Sequence, residues 1–168
     1  MQKEKVKKTK SKKISIAFVC TGNTCRSPVA EKLFKRYIRE KGKLALFRVF
    51  SVGLAASSGD CMSELSQAVL KENKIKALVH KSKPLNEKII QTTDYFVCMT
   101  EGHKKHISSL SNVYTIAEIT GGVDVIDPFG GTMIEYRKMY EYLAYAVSDI
   151  LTFILDKDLV SKATLAQD

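Results

Sequence analysis

A six-residue apolar run, ISIAFV at 14–19, leads directly into CTGNTCRS at 20–27 and then into PVAEKLFKRYIREK at 28–41. A short apolar run bounded by turn residues reads as a buried strand. In the segment that follows, Val29, Leu33, Phe34, Tyr37 and Ile38 recur near i, i+4 and i+8, which predicts an amphipathic helix. Pro28 suits its first turn, Ser27 its N-cap and Gly42 its end. A strand, a tight loop and a helix in such close succession admit few arrangements. The strand must join a sheet and the helix must pack back onto it.

The same alternation continues along the chain. Strands are expected at 46–52, 94–99 and 112–116, and helices at 62–73, 86–92 and 101–110. A long final helix is expected at 132–155, carrying Met133, Tyr136, Met139, Tyr140, Leu143, Val147, Ile150, Leu151 and Ile154 as core, with frayed residues after it. This pattern predicts an α/β fold: one domain over 14–160, with an open, mostly parallel sheet flanked by helices on both faces. Ligands of such sheets bind at the carboxyl ends of strands, near the point where the strand order reverses. The CTGNTCRS segment occupies that place.

The net charge of +9 is unevenly spread. Residues 1–13 hold seven lysines and one glutamate, so most of the excess lies in a basic tail that is expected to be disordered. The tail has no interleaved aromatics for base stacking, which disfavours nucleic acid as a partner. No run of about 18 apolar residues exists, so no transmembrane helix is expected. ISIAFV is too short for a signal-peptide core, and Phe18 and Val19 are too large for a cleavage site. The expected location is therefore the cytoplasm, where Cys20, Cys25, Cys61 and Cys98 stay mostly reduced. The cysteines form no C-x-x-C pair, and His80, His103 and His106 complete no zinc pattern. Neither a metal nor a cofactor is called for.

The loop itself suggests oxyanion chemistry. Backbone N–H groups and a helix N-terminus converge on one point and attract a dianion. Gly22 allows a turn and a close approach, and Asn23 can tie the loop with its side chain. Arg26 offers a planar fork that matches two phosphate oxygens. The same positive groups favour a thiolate at Cys20, a nucleophile beneath a bound phosphoryl group. Ser27 can hydrogen-bond that sulfur. No G-K-[ST] follows, so nucleotide binding is not favoured. The leaving group needs a proton donor. Asp127 in DPFGG is the candidate, with Asp124 as a second.

FVCTGNTCRSPVAEKLF, SVG at 51–53 and DPFGG at 127–131 together resemble the low-molecular-weight protein tyrosine phosphatase family over residues 14–155. The resemblance implies a four-stranded parallel sheet, with Cys20 as nucleophile, Arg26 as phosphate clamp and Asp127 as general acid. Thr21, Gly22, Asn23, Thr24, Cys25, Ser27 and Phe129 would surround the phosphate. Hydrolysis would pass through a phosphocysteine, without a metal. Two departures are informative. Tyrosine-specific members usually carry an aliphatic residue where this chain has Thr24, and two aromatics after the DP pair, where it has Phe129 and then Gly130. Both features resemble the protein-arginine phosphatase branch. A threonine hydroxyl can hydrogen-bond a guanidinium or the attacking water, and Phe129 can stack on a guanidinium plane.

The partners so implied are phosphorylated proteins, with phosphate or another oxyanion in the loop. Phosphotyrosine hydrolysis is the alternative within the class. Arsenate reduction with Cys98 as a redox partner, and a non-catalytic anion-binding module, are the alternatives outside it. Cys25 reads either as a small buried packing residue or as a reversible disulfide partner of Cys20. Cys98 reads as core, and Cys61 as incidental. His103 and His106 read as exposed helix residues.

Overall fold

The protein is described from a computed structural model over residues 12–77 and 79–165. Of the basic tail, only Lys12 and Lys13 fall within the described residues. Four strands, β1 (Ile14–Cys20), β2 (Phe47–Gly53), β3 (Tyr95–Cys98) and β4 (Val113–Thr115), form one all-parallel sheet in the order β2-β1-β3-β4. β1 is central. The chain winds outward from it first to β2 and later to β3, so the switch point lies between β1 and β3.

Alternate residues of each strand enter two separate cores. Ile16, Phe18, Phe47, Val49 and Val97 face α1 (Arg26–Glu40) and the long α6 (Met133–Leu165). Ala17, Val19, Phe50, Val52, Phe96 and Cys98 face the other way, toward Ile107 and Val113. A parallel sheet buried on both faces explains why β1 reads as a near-continuous apolar run, broken only by Ser15.

Several boundaries differ from expectation. α1 begins at Arg26, two residues early, because Cys25 occupies the N-cap position and makes no side-chain cap; Ser27 is drawn inside the helix by bonds to the loop. Gly42 does end the helix, in the left-handed region with φ 67°. α2 (Glu64–Glu72), α3 (Glu87–Gln91) and α4 (Glu101–His106) are shorter than expected, each started by a side-chain N-cap from Ser63, Asn86 or Thr100. A single-turn helix, α5 (Ile116–Thr120), carries a capping box from Thr115 and Glu118 that the sequence reading missed. α6 does not fray at 155. It continues to Leu165, held by a Lys162–Asp158 ion pair and by Lys157 lying over the rings of Tyr114 and Phe153. Among the described residues no helix is long and apolar enough to cross a membrane.

Candidate active site

The loop between β1 and α1 wraps the carboxyl end of the central strand. Cys20 is its first residue and is almost fully buried. The Cys20 Sγ lies 2.9 Å from the Ser27 Oγ and accepts from the Asn23 N–H at 3.2 Å. The left-handed residue here is Asn23, with φ 55°. Gly22 has an ordinary φ and room for a Cβ, so the turn depends on Asn23 rather than on the glycine.

Asn23 is fully buried, and its polar groups are used from several sides. Its Nδ2 donates to Ser27 Oγ at 2.9 Å, its Oδ1 accepts from the Lys83 N–H at 2.9 Å, and its carbonyl lies 2.7 Å from His80 Nε2. A carbonyl can only accept, so His80 Nε2–H donates to it, and burial pushes the imidazole toward its neutral form. Gly53 supplies the opposite wall. A Cβ there would lie 2.5 Å from the Thr21 carbonyl oxygen and 3.0 Å from the Asn23 nitrogen. Real Cβ atoms do not approach backbone that closely, so the SVG glycine lets the loop sit against the end of β2.

A cavity of about 230 Å³ opens above this loop, lined by Cys20, Thr21, Gly22, Thr24, Cys25, Arg26, Asp127 and Phe129. Eight of the ten expected site residues thus meet. Asn23 and Ser27 lie beneath the floor and act on the loop rather than on its contents. The Arg26 guanidinium is buried at the start of α1, where the first helical N–H groups have no intrahelical partner. Its Nη1 donates to the Val125 carbonyl at 3.3 Å and its Nη2 to Asp127 Oδ2 at 2.9 Å. The second Asp127 oxygen accepts from the Phe129 N–H at 3.2 Å, an Asx turn completed by Pro128 and by Gly130 at φ 77°. The Asp127 side chain is half exposed, and Phe129, 79% exposed, stands at the rim. Asp124 is turned away. Both of its oxygens accept from the Glu101 N–H at 3.1 Å.

Cys25 is free. Its Sγ lies 3.3 Å from Ser63 Oγ and 3.4 Å from Tyr136 OH, a residue of the predicted core stripe. Cys98 is fully buried in the second core, where burial pushes its thiol up to about 12 and leaves it no role as a nucleophile. Cys61 is exposed beside Lys81. Among the described residues no group of three or more His, Cys, Asp or Glu is placed to hold a metal ion.

His103 is not the exposed residue that its place on a short helix suggested. It is 7% exposed, with Nε2 2.9 Å from Thr21 Oγ1 and Nδ1 2.8 Å from Thr100 Oγ1. Burial, helped by the nearby Arg26 cation, pushes it down to about 4. His80 and His103 both reach the loop from distant segments. No local pattern in the sequence marks either one.

A floor of sulfur and backbone N–H groups, a buried guanidinium and a facing carboxyl can bind a phosphoryl group, attack it and protonate what leaves. Comparison with known proteins agrees. The family described as low molecular weight phosphotyrosine protein phosphatase matches residues 15–162. The chain belongs to that family. This phosphatase is 39% identical over 137 residues to the protein-arginine-phosphatase of Bacillus subtilis (strain 168), covering 77% of this chain and 89% of the relative. It is 34% identical over 142 residues to the low molecular weight protein-tyrosine-phosphatase PtpB of Staphylococcus haemolyticus, covering 82% and 97%. Among solved structures, the YwlE arginine phosphatase with a phosphorylated active-site serine superposes with a TM-score of 0.78 at 34% identity, covering 84% of this chain and 95% of that one.

Proposed function

We propose that this phosphatase hydrolyses phosphoarginine in proteins, and that residues 14–160 form the catalytic unit. The observation that carries the reading is Thr24 in the wall of the cavity beside Cys20, its Oγ1 3.7 Å from Cys25 Sγ, where a branched aliphatic side chain would favour a flat ring. A hydroxyl there can accept from the guanidinium N–H groups that an aryl substrate lacks. Relatives named protein-arginine-phosphatase, at 39% and 37% identity, support the choice.

The chemistry follows from the contacts. Arg26 Nη2 is bonded to Asp127, so an arriving phosphoryl group competes with that carboxyl for the guanidinium. As the anion takes over Arg26, the Asp127 carboxyl is released from the guanidinium and is free to face the leaving group. The Cys20 thiolate attacks phosphorus and the P–N bond breaks. The departing guanidine nitrogen takes the Asp127 proton. Water then attacks the phosphocysteine, the Asp127 carboxylate accepts its proton, and phosphate and thiolate are released. A reduced Cys20 is required throughout, which fits the cytoplasm as the working compartment.

A second reading, phosphotyrosine hydrolysis, is favoured by the exposed Phe129 ring at the mouth and by the likeness to PtpB. Matched phosphoarginine and phosphotyrosine peptides separate the two: faster turnover of phosphotyrosine overturns the proposal. Thr24→Ile should move the ratio of kcat/KM values toward phosphotyrosine by about tenfold or more, the scale of losing one buried polar contact to the substrate.

A further inference from the structure

His103 and Thr100 lie on β3–α4, 82 and 79 residues from Thr21, yet the three side chains form one chain of contacts ending at the cavity wall. Hydrogen counting fixes its direction. Thr100 Oγ1 accepts the His103 N–H at 3.2 Å as the N-cap of α4. Its own proton is directed at His103 Nδ1 at 2.8 Å, the acceptor in reach among the described residues. A neutral imidazole whose Nδ1 accepts must carry its proton on Nε2. That proton goes to Thr21 Oγ1 at 2.9 Å. Thr21 then receives a hydrogen bond from His103 and keeps its own proton. It lines the cavity and is solvent-exposed, so the proton is available to whatever the cavity holds. The opposite tautomer would leave the Thr100 proton without a protein acceptor among the described residues and would turn the Thr21 proton back into the protein.

We propose that His103 is a positioning residue that makes the Thr21 hydroxyl a hydrogen-bond donor to the phosphoryl oxygens of the substrate. The inference rests on the reading of this cavity as a phosphoryl site. It does not depend on whether the leaving group is a guanidine or a phenol. Burial of His103 supports it: the ring stays neutral near Arg26, so it directs a proton without adding a second cation.

The test compares Thr21→Val, Thr21→Ser, His103→Leu, His103→Gln and the Thr21→Val/His103→Leu pair in the full chain. Cys20→Ser serves as the control for the underlying reading. kcat and KM are measured with a phosphoarginine peptide and with a small aryl phosphate, inorganic phosphate is titrated as an inhibitor, and thermal unfolding confirms folding. Thr21→Val is expected to lower kcat/KM about tenfold or more on both substrates and to weaken phosphate inhibition, the scale of one lost bond to a charged group. Thr21→Ser should retain activity. His103→Leu should match Thr21→Val, and the double variant should be no worse than either, because both remove the same donor. His103→Gln, whose amide can still donate to Thr21, should recover most of the loss. Wild-type phosphate inhibition in Thr21→Val, or losses that multiply in the double variant, would overturn the proposal. If His103→Leu does not fold, the contrast of Thr21→Val, Thr21→Ser and His103→Gln decides alone. An active Cys20→Ser enzyme overturns the phosphoryl-site reading instead.

Discussion

The loop carrying Cys20 and the loop carrying Asp127 face each other across one cavity and are built in opposite ways. In the first, Cys20, Asn23, Cys25 and Arg26 are buried, and the loop is held from every side. Asn23, His80, Lys83, Ser27 and the bare end of Gly53 each fix part of it. The second is mostly exposed. Val125 is anchored through its N–H to the Met99 carbonyl and through its own carbonyl to Arg26, but Ile126 and Phe129 stand in solvent. The contrast fits two tasks. A phosphoryl group has one shape, and a rigid cradle recognises it without reorganising. The rest of a protein substrate is variable, and an exposed rim accommodates it.

The comparison can be broken by loosening the rigid side. Asn23→Ala removes one buried and one part-buried bond, takes the Asn23 acceptor from the Lys83 N–H, and leaves a non-glycine residue without a polar side chain at φ 55°. Stability should fall by about 3 kcal/mol and kcat/KM by about 10²-fold or more, measured by denaturant titration and steady-state kinetics. Asp127→Asn should lower kcat by about 10²-fold, the scale of a lost general acid, while thermal unfolding changes little because the side chain is half exposed. An equal loss of stability in both variants would erase the distinction between the two loops.

A pH titration sharpens it further. His103 in the folded protein is held at about 4, against 6.5 for a free imidazole. Between those values the unfolded chain binds a proton that the native one refuses, so stability should fall as pH is lowered from about 6.5 toward 4. His103→Gln should flatten that part of the stability curve. The smallest effect is expected at the rim. Phe129→Ala should leave stability within about 0.5 kcal/mol and raise KM for peptides a few-fold, with kcat for a small aryl phosphate unchanged.

What could be read from the sequence follows the same division. Cys20, Arg26 and the strand–loop–helix unit were legible because strand, loop and helix are adjacent and each leaves a local signature. Asp127 was legible through the turn chemistry of DPFGG. The supports were not. His80 and His103 reach the loop from segments 57 and 82 residues away, and nothing in KALVHKS or EGHKKH announces it. Serine suits the N-cap, but the loop bonds hold Ser27 at the second helical position and leave the cap to Cys25. The polar last turns of α6 read as frayed because Tyr114, the ring under Lys157, comes from β4 and meets the helix only once it has docked; the Lys162–Asp158 pair is local, four residues apart on the helix itself.

Ser27 has one hydroxyl proton and three polar neighbours: Asn23 Nδ2, Cys20 Sγ and, at 3.4 Å, the Val52 carbonyl. Asn23 always fills one lone pair. When the sulfur is a thiol it can donate to Ser27, which passes its own proton to Val52. When the sulfur is a thiolate, the Ser27 hydroxyl turns to it. In the proposed reaction, charge can therefore leave Cys20 as the bond to phosphorus forms and return on hydrolysis, with only the Ser27 proton needing to reorient within this network. The reaction's charge cycle is tracked by the rotation of a single O–H bond.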